Sequence, residues 1–406
     1  MSSHNLADKS LMLAEASSGV RLDAGAPFAL PTTPARWPPG RSLRILHLDL
    51  SLTLDPASPH IVGDCRVRLR THAQFSGTAQ LDLGSVKIDG LKGLSHPDLR
   101  WRHHEDKLWL DGLDPDTTYE FQLTYAGEPA RGLYRTGPSE AEPDRPPMLW
   151  TQCQDVDGHH IFPCVDHPSH KQPMTVRAIV PEGLDVVGNG RLVSRAAVKP
   201  GWTCWTWEQK RPIPAYLFTL VVGPMVVHDD RSAVGAGVDG ADVPVRYLAP
   251  QGTDPALLMP NFDKTPAMIE FCVRRLGCAY PFPRYDQVVV HDFIFGGMEN
   301  AGATTLTDVA LLPPEARVDG DMDTLVIHEL AHQWFGDLVT CDDWSQAWLN
   351  EGWATYMEFV WATEDLGASD ADAALFNTLD NYLGEFGARY QRALVEGCYE
   401  APIDLF

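Results

Sequence analysis

His328-Glu329-Leu330-Ala331-His332 sets two imidazoles four residues apart. On a helix, such residues stack on one face about 6 Å apart along the axis, so both rings can aim a nitrogen at one point. Glu351 follows in Trp348-Leu349-Asn350-Glu351-Gly352, at the start of a second apolar-periodic stretch through Tyr356, Phe359 and Val360, and can supply a third ligand. Two histidines and one carboxylate leave the fourth tetrahedral position of zinc open to water, which marks a catalytic site rather than a closed structural one. One Zn2+ per chain is expected at His328, His332 and Glu351. Glu329, the neighbour of His328, then has the task of general base, taking a proton from water and passing it to a leaving amine. In a chain with 15 His, an accidental HExxH string has odds of roughly one in thirty, and a glutamate at the later position lowers them about another twentyfold. The bland alternative, a helix that happens to carry two histidines, is therefore set aside.

The remaining sequence must hold this stretch in place. A chain of 406 residues with 44% hydrophobic and 21% charged side chains has core enough for two domains. With 32 Lys and Arg against 55 Asp and Glu, its net charge of −23 argues against nucleic acid and anionic membrane surfaces. The same charge suits a cationic ligand such as a peptide amino terminus. The eight cysteines are scattered without a CxxC pair and read as free thiols. The first residues carry no basic start followed by an apolar run, and no stretch approaches a membrane span, so a cytoplasmic location is expected.

Residues 1–40, rich in Ser, Ala and Pro, read as a flexible tail. Strict alternation then begins at Leu46, Leu48, Leu50, Leu52 and Leu54, the signature of a half-buried strand. More short strand candidates separated by Pro, Gly and Asp clusters follow as far as Val222. Many strands without long intervening helices imply antiparallel sheets, a saddle or sandwich, over 41–248. Gly235-Ala236-Gly237-Val238-Asp239-Gly240 imitates a dinucleotide-binding fingerprint, but Val243-Pro244-Val245-Arg246-Tyr247 follows where a helix is required, so a hairpin loop is expected. From 249 to 406 the periodicity turns helical, with Ala267, Met268, Phe271, Cys272 and Leu276 on one face. Gly296-Gly297-Met298-Glu299-Asn300 is a glycine-permitted turn beyond a strand at Gln287 to Val290.

Taken together, Gly296-Gly297-Met298-Glu299-Asn300, HELAH and Asn350-Glu351 resemble, in order and spacing, the aminopeptidase N family of zinc metallopeptidases, which includes the bifunctional leukotriene hydrolase/aminopeptidase. Trp150–Gln154, Phe162–Pro168 and Tyr216-Leu217 resemble further segments of that family, so the likeness runs from about Leu43 to Phe406. The resemblance implies an amino-terminal antiparallel β saddle followed by a thermolysin-like α/β zinc catalytic domain. It implies that Glu299 binds the free α-ammonium of a peptide substrate, as a carboxylate at the closed end of a cleft would. It also implies that Gln154 reaches the same amine from the β domain and that the Gly296, Gly297 and Met298 backbone aligns substrate. Some relatives carry Glu where this chain has Gln154, which argues against a preference for acidic amino-terminal residues. Glu358, seven residues after Glu351, is a candidate to orient a zinc histidine, with an exposed helix acid as the alternative.

Where family members often have Ala-Arg, this chain has His159-His160, read as ordinary loop residues. Relatives place a catalytic tyrosine after a segment like Cys398–Leu405 and then add a helical domain over the cleft. The chain stops at Phe406, and Tyr399 by its surroundings belongs to the preceding segment. The expectation is a zinc aminopeptidase acting on peptides with a free amino terminus, whose carboxy-terminal region lies in the full-length protein. The 406-residue chain is expected to hold zinc with at most trace activity. Two rivals are a non-catalytic peptide-binding fragment and, needing basic residues from the missing region, a lipid epoxide hydrolase.

Overall fold

Alternating leucines set the first strand: from Leu48 to Leu52 every second side chain is fully buried, while a register shift between Ile45 and His47 breaks the alternation and leaves Leu46 only half-buried. The computed structural model describes residues 26–406. Leu43–Thr53 pairs antiparallel with Ile61–Thr71 and parallel with Lys171–Pro181, so the expected antiparallel architecture contains one parallel junction. These strands belong to a seven-stranded sheet ordered Arg191–Lys199, Trp202–Pro214, Lys171–Pro181, Leu43–Thr53, Ile61–Thr71, Thr118–Gly127, Val86–Gly93. A four-stranded sheet (Asp185–Gly188, Leu220–Gly223, Met148–Thr151, Leu133–Thr136) and a three-stranded one (Gly77–Asp82, Lys107–Leu113, Arg100–His104) complete the sheet-rich unit.

A second unit is built on a five-stranded sheet, ordered Met225–Asp229, Val245–Pro250, Tyr285–Val290, Ala303–Thr307, Gly297–Met298. Its three middle strands are parallel and its two edge strands antiparallel. Met225–Asp229 and Val245–Pro250 therefore belong here, and the chain passes between units near Pro224 rather than at 248. The reason is the pairing of Val245–Pro250 with Tyr285–Val290, a long-range partner that local alternation cannot announce. Gly235–Gly240 lies in the connection between these first two strands, closed by Gly237 N donating to Ala241 O at 2.7 Å, with Asp239 at φ 57°. That is a hairpin loop.

Five helices complete the second unit: α1 (Leu258–Phe262), α2 (Thr265–Leu276), α3 (Asp323–Ala331), α4 (Trp348–Asp365) and α5 (Ala368–Ala388). Gly277, left-handed at φ 63°, ends α2 as a C-terminal glycine should. Among the described residues no helix is long and apolar enough to cross a membrane.

Polar side chains also stitch the two units together. Arg284, 8% exposed, donates from Nε to Gly190 O at 2.9 Å and from Nη2 to Gly188 O, pairs with the fully buried Asp286, and lies 4.6 Å above the Trp207 ring. Asn189 donates from Nδ2 to Leu217 O at 2.9 Å and to Ala301 O at 3.1 Å. Of the expected tail, residues 1–25 lie outside the described residues. Residues 26–40 depart from that expectation: Ala26–Pro27 pairs with Tyr390–Gln391, and Arg36 donates to the carbonyls of Tyr399 and Glu400. This segment has little core of its own, and its polar groups find partners on 390–400.

Candidate active site

α3 forms because Val326, Ile327, Leu330 and Ala331 are all buried, with Asp323 in the first turn where an acid favours the helix dipole. The helix ends at His332, and the chain turns away through Gly336 at φ 131°. α4 packs against α3 and buries Asn350, Ala354, Met357, Val360 and Trp361. Glu351 and Glu358, two helical turns apart, both reach the α3 histidines.

The four side chains meet closely. His328 Nε2 and His332 Nε2 stand 3.1 Å apart, and Glu351 Oε2 lies 3.4 Å from the first and 3.5 Å from the second. Each remaining ring nitrogen has a partner: His328 Nδ1 donates to Glu358 Oε1 at 2.6 Å and His332 Nδ1 to the Phe335 carbonyl at 2.9 Å. A carbonyl only accepts, so the His332 proton sits on Nδ1, and an ionised Glu358 imposes the same tautomer on His328. With both rings neutral, as metal ligation requires, the two Nε2 atoms present lone pairs to each other and to a carboxylate. Such an arrangement repels itself unless a cation lies among the three. Two nitrogens on one tetrahedral zinc would be about 3.3 Å apart for bonds of about 2.0–2.1 Å, close to the spacing found. The residues fit a zinc ion, and among the described residues this is the one cluster with metal-ligand spacing.

Glu329 is buried beside them, and burial raises its pKa. Its carboxylate lies against Gly297, where an added Cβ would fall 2.3 Å from Oε1, so glycine there admits the acid. Gly297–Met298 pairs with Leu306 and Thr305 and forms the edge of the five-stranded sheet, leaving one side of its backbone unpaired by any strand. Gly296 accepts from Thr307 N at 3.1 Å just before that edge. Glu299 is 3% exposed and its Oε1 has no partner among the described residues. Burial pushes its pKa up to about 7; His332 opposes the rise, while the Glu351 and Glu329 carboxylates add to it.

From the sheet-rich unit, Gln152 Nε2 reaches Met298 Sδ at 3.1 Å. Gln154, two residues on, keeps a buried Nε2 without a partner among the described residues, and no hydrogen bond joins it to Glu299. Tyr399 is buried in the core of the second unit. His159 and His160 are not loose loop residues: they form a short turn in which His159 Nδ1 contacts the buried Asp166 at 2.9 Å. The sequence reading passed over Gln333, fully buried and bonded to the Glu299 and Gly302 backbone, and Lys171, which donates to the carbonyls of Asp337 at 3.0 Å and Leu338 at 3.1 Å. Adjacency to His332 was the available signal for Gln333. Lys171 had none.

A sheet-rich unit joined to an α/β unit in which two helices bring together two histidines, a carboxylate and a further buried glutamate has the architecture of a metallopeptidase. Residues 45–217 match the Peptidase M1 N-terminal domain and residues 261–391 the Peptidase family M1 domain. The chain belongs to this family, that of aminopeptidase N. It is 31% identical to aminopeptidase N of Bos taurus over 261 residues, covering 62% of this chain and 26% of that protein. It is 33% identical to aminopeptidase N of Streptomyces lividans over 214 residues, covering 52% of this chain and 24% of the other. The chain thus spans about a quarter of the length of these curated relatives. The crystal structure of an M1 zinc metallopeptidase from Deinococcus radiodurans superposes with a TM-score of 0.72 at 26% identity, covering 93% of this chain and 82% of that one. A mutant of that enzyme has been solved bound to a Tyr-Ser-Ala substrate.

Proposed function

We propose that this chain carries the site of a zinc-dependent aminopeptidase that removes the first residue from peptides with a free amino terminus. The observation that carries this reading is Glu299: a buried carboxylate with an unpartnered oxygen, on the same sheet edge as the glycine that touches Glu329. A buried unpaired acid calls for a cation, and a peptide α-ammonium is one that the edge of a sheet can deliver.

His328, His332 and Glu351 would hold one zinc per chain. When bound, zinc supplies Lewis-acid polarisation of the scissile carbonyl and a lowered pKa for water. Glu329 takes the proton of the attacking water and gives it to the leaving amine, a task suited to an acid whose burial raises its pKa. Glu299 binds the ammonium, and Gln154 contributes its unpaired amide from the sheet-rich unit. The Gly296–Met298 backbone aligns the substrate main chain, and Glu358 holds the His328 ring. The tripeptide bound to the Deinococcus relative is the class of ligand this arrangement accommodates. A cytoplasmic location belongs to the same proposal, supported by eight free thiols.

The test compares a peptide with its amino-terminally acetylated form on zinc-loaded protein, by cleavage or by competition binding. Preference for the free amine is expected. Equal treatment of both would point to an endopeptidase-like cleft and remove Glu299 from its role.

A further inference from the structure

Glu299 can measure one residue from the metal only if its own backbone is held at a constant distance from α3. Nothing in Gly296–Asn300 guarantees that, because an edge strand two residues long is among the least constrained parts of a sheet. The structure supplies the constraint from the residue next to a metal ligand. Gln333 is fully buried, and its side-chain amide spans the turn that follows Glu299. Its Nε2 donates to the Glu299 carbonyl at 3.0 Å, and its Oε1 accepts from Gly302 N at 2.8 Å and from the Tyr280 hydroxyl at 3.2 Å. One amide therefore satisfies both ends of the 299–302 turn.

From the opposite side, Asn189 of the sheet-rich unit donates to the carbonyl of Ala301 inside the same turn, at 3.1 Å. Gly302 itself sits at φ 74°, a left-handed conformation that a side chain at this position would resist. The turn is thus gripped twice, and among the described residues Gln333 is the one whose hydrogen bonds join it to the end of the helix that carries the histidines. His332 binds on one side of that residue boundary and the Glu299 backbone on the other.

We propose that Gln333 is the positioning residue that sets the distance between the ammonium-binding carboxylate and the metal ligands, and so fixes selectivity for a free amino terminus. This rests on the aminopeptidase reading above. Gln333 touches neither ammonium nor metal in this role; it acts through the Glu299 main chain. Replacing it with a side chain of similar volume but no amide frees the turn while leaving His328, His332 and Glu351 in place. The expected signature is loss of discrimination, not loss of metal.

The experiment uses the 406-residue chain loaded with zinc, its Q333M variant and its E299A variant. Calorimetry compares the amides of leucine, arginine and tryptophan with their N-acetyl counterparts, alongside metal analysis and amide hydrogen exchange of 299–302. Q333M is expected to keep one equivalent of zinc, to lower the free-over-acetylated affinity ratio about tenfold, and to exchange faster in 299–302 than the unaltered protein. If Q333M fails to fold or loses metal, Q333E decides: it retains the acceptor oxygen for Gly302 but cannot donate to the Glu299 carbonyl, and the same fall in ratio is expected. A ratio within twofold of the unaltered protein in a zinc-loaded variant overturns the role of Gln333. Unaltered protein that does not discriminate, with E299A equal to it, overturns the aminopeptidase reading and this proposal with it.

Discussion

The metal cluster and the surroundings of Glu299 are built differently. In the metal cluster, both ring nitrogens not aimed at an ion are already engaged: Glu358 holds His328 Nδ1, the Phe335 carbonyl holds His332 Nδ1, and the three remaining donor atoms face one another. Around Glu299, the orientation of the backbone is secured by Gln333 and Asn189. Among the described residues, Glu299 Oε1, Gln154 Nε2 and Gln152 Oε1 are all buried without partners. A buried polar atom without a partner costs roughly 1–3 kcal/mol, and more when charged, so such atoms persist where a ligand completes them. The metal cluster fits an ion. On the proposed reading, the surroundings of Glu299 would fit a group that arrives with each substrate.

Three substitutions sharpen or break this contrast, beginning with the largest effect. His328→Ala removes one of three ligands and the partner of Glu358, and zinc binding should be abolished. Full zinc by metal analysis in that variant would mean the ion is held elsewhere. Glu299→Ala should leave metal content unchanged while costing on the order of 2–5 kcal/mol of affinity for free-amine ligands, because it removes the partner of a desolvated charge. If zinc is lost as well, the two regions are one unit and the contrast fails. Glu358→Ala should have the smallest effect of the three: the His328 ring loses its orienting acceptor, and zinc affinity should fall about 10- to 100-fold without changing preference for free over acetylated amines. Competition with a chelator reads the affinity directly. An unaltered affinity would return Glu358 to the standing of an incidental helix acid.

The same contrast explains what could be read before the fold was in hand. HELAH is local: helical spacing dictates that His328 and His332 share a face, and α3 realises it. Glu351 and Glu358 are seven residues apart on a helix marked by its own apolar period, so both fall on one side of α4. Leu48, Leu50 and Leu52 likewise bury as their period demands, whereas the bulge between Ile45 and His47 takes Leu46 out of it. What local pattern could not supply is pairing over long range. The parallel junction of Leu43–Thr53 with Lys171–Pro181, and the assignment of Met225–Asp229 and Val245–Pro250 to the second sheet, depend on which strands meet, and alternation is blind to the partner.

The residues of the site divide along the same line. Residue type and spacing by themselves set His328 and His332 on one face with Glu329 beside them, and Glu351 and Glu358 on one face of α4, because a helix converts sequence separation into direction; the packing of the two helices brought the sets together. Only the tertiary structure decided that Gln333 spans the turn after Glu299, that Asn189 reaches Ala301 from the other unit, and that Lys171 donates to the loop after His332. Those contacts join segments separated by tens to more than a hundred residues. Their donors and acceptors are ordinary amides, carbonyls and an ammonium, which carry no pattern in the chain and acquire a partner only when packing brings one within hydrogen-bonding distance.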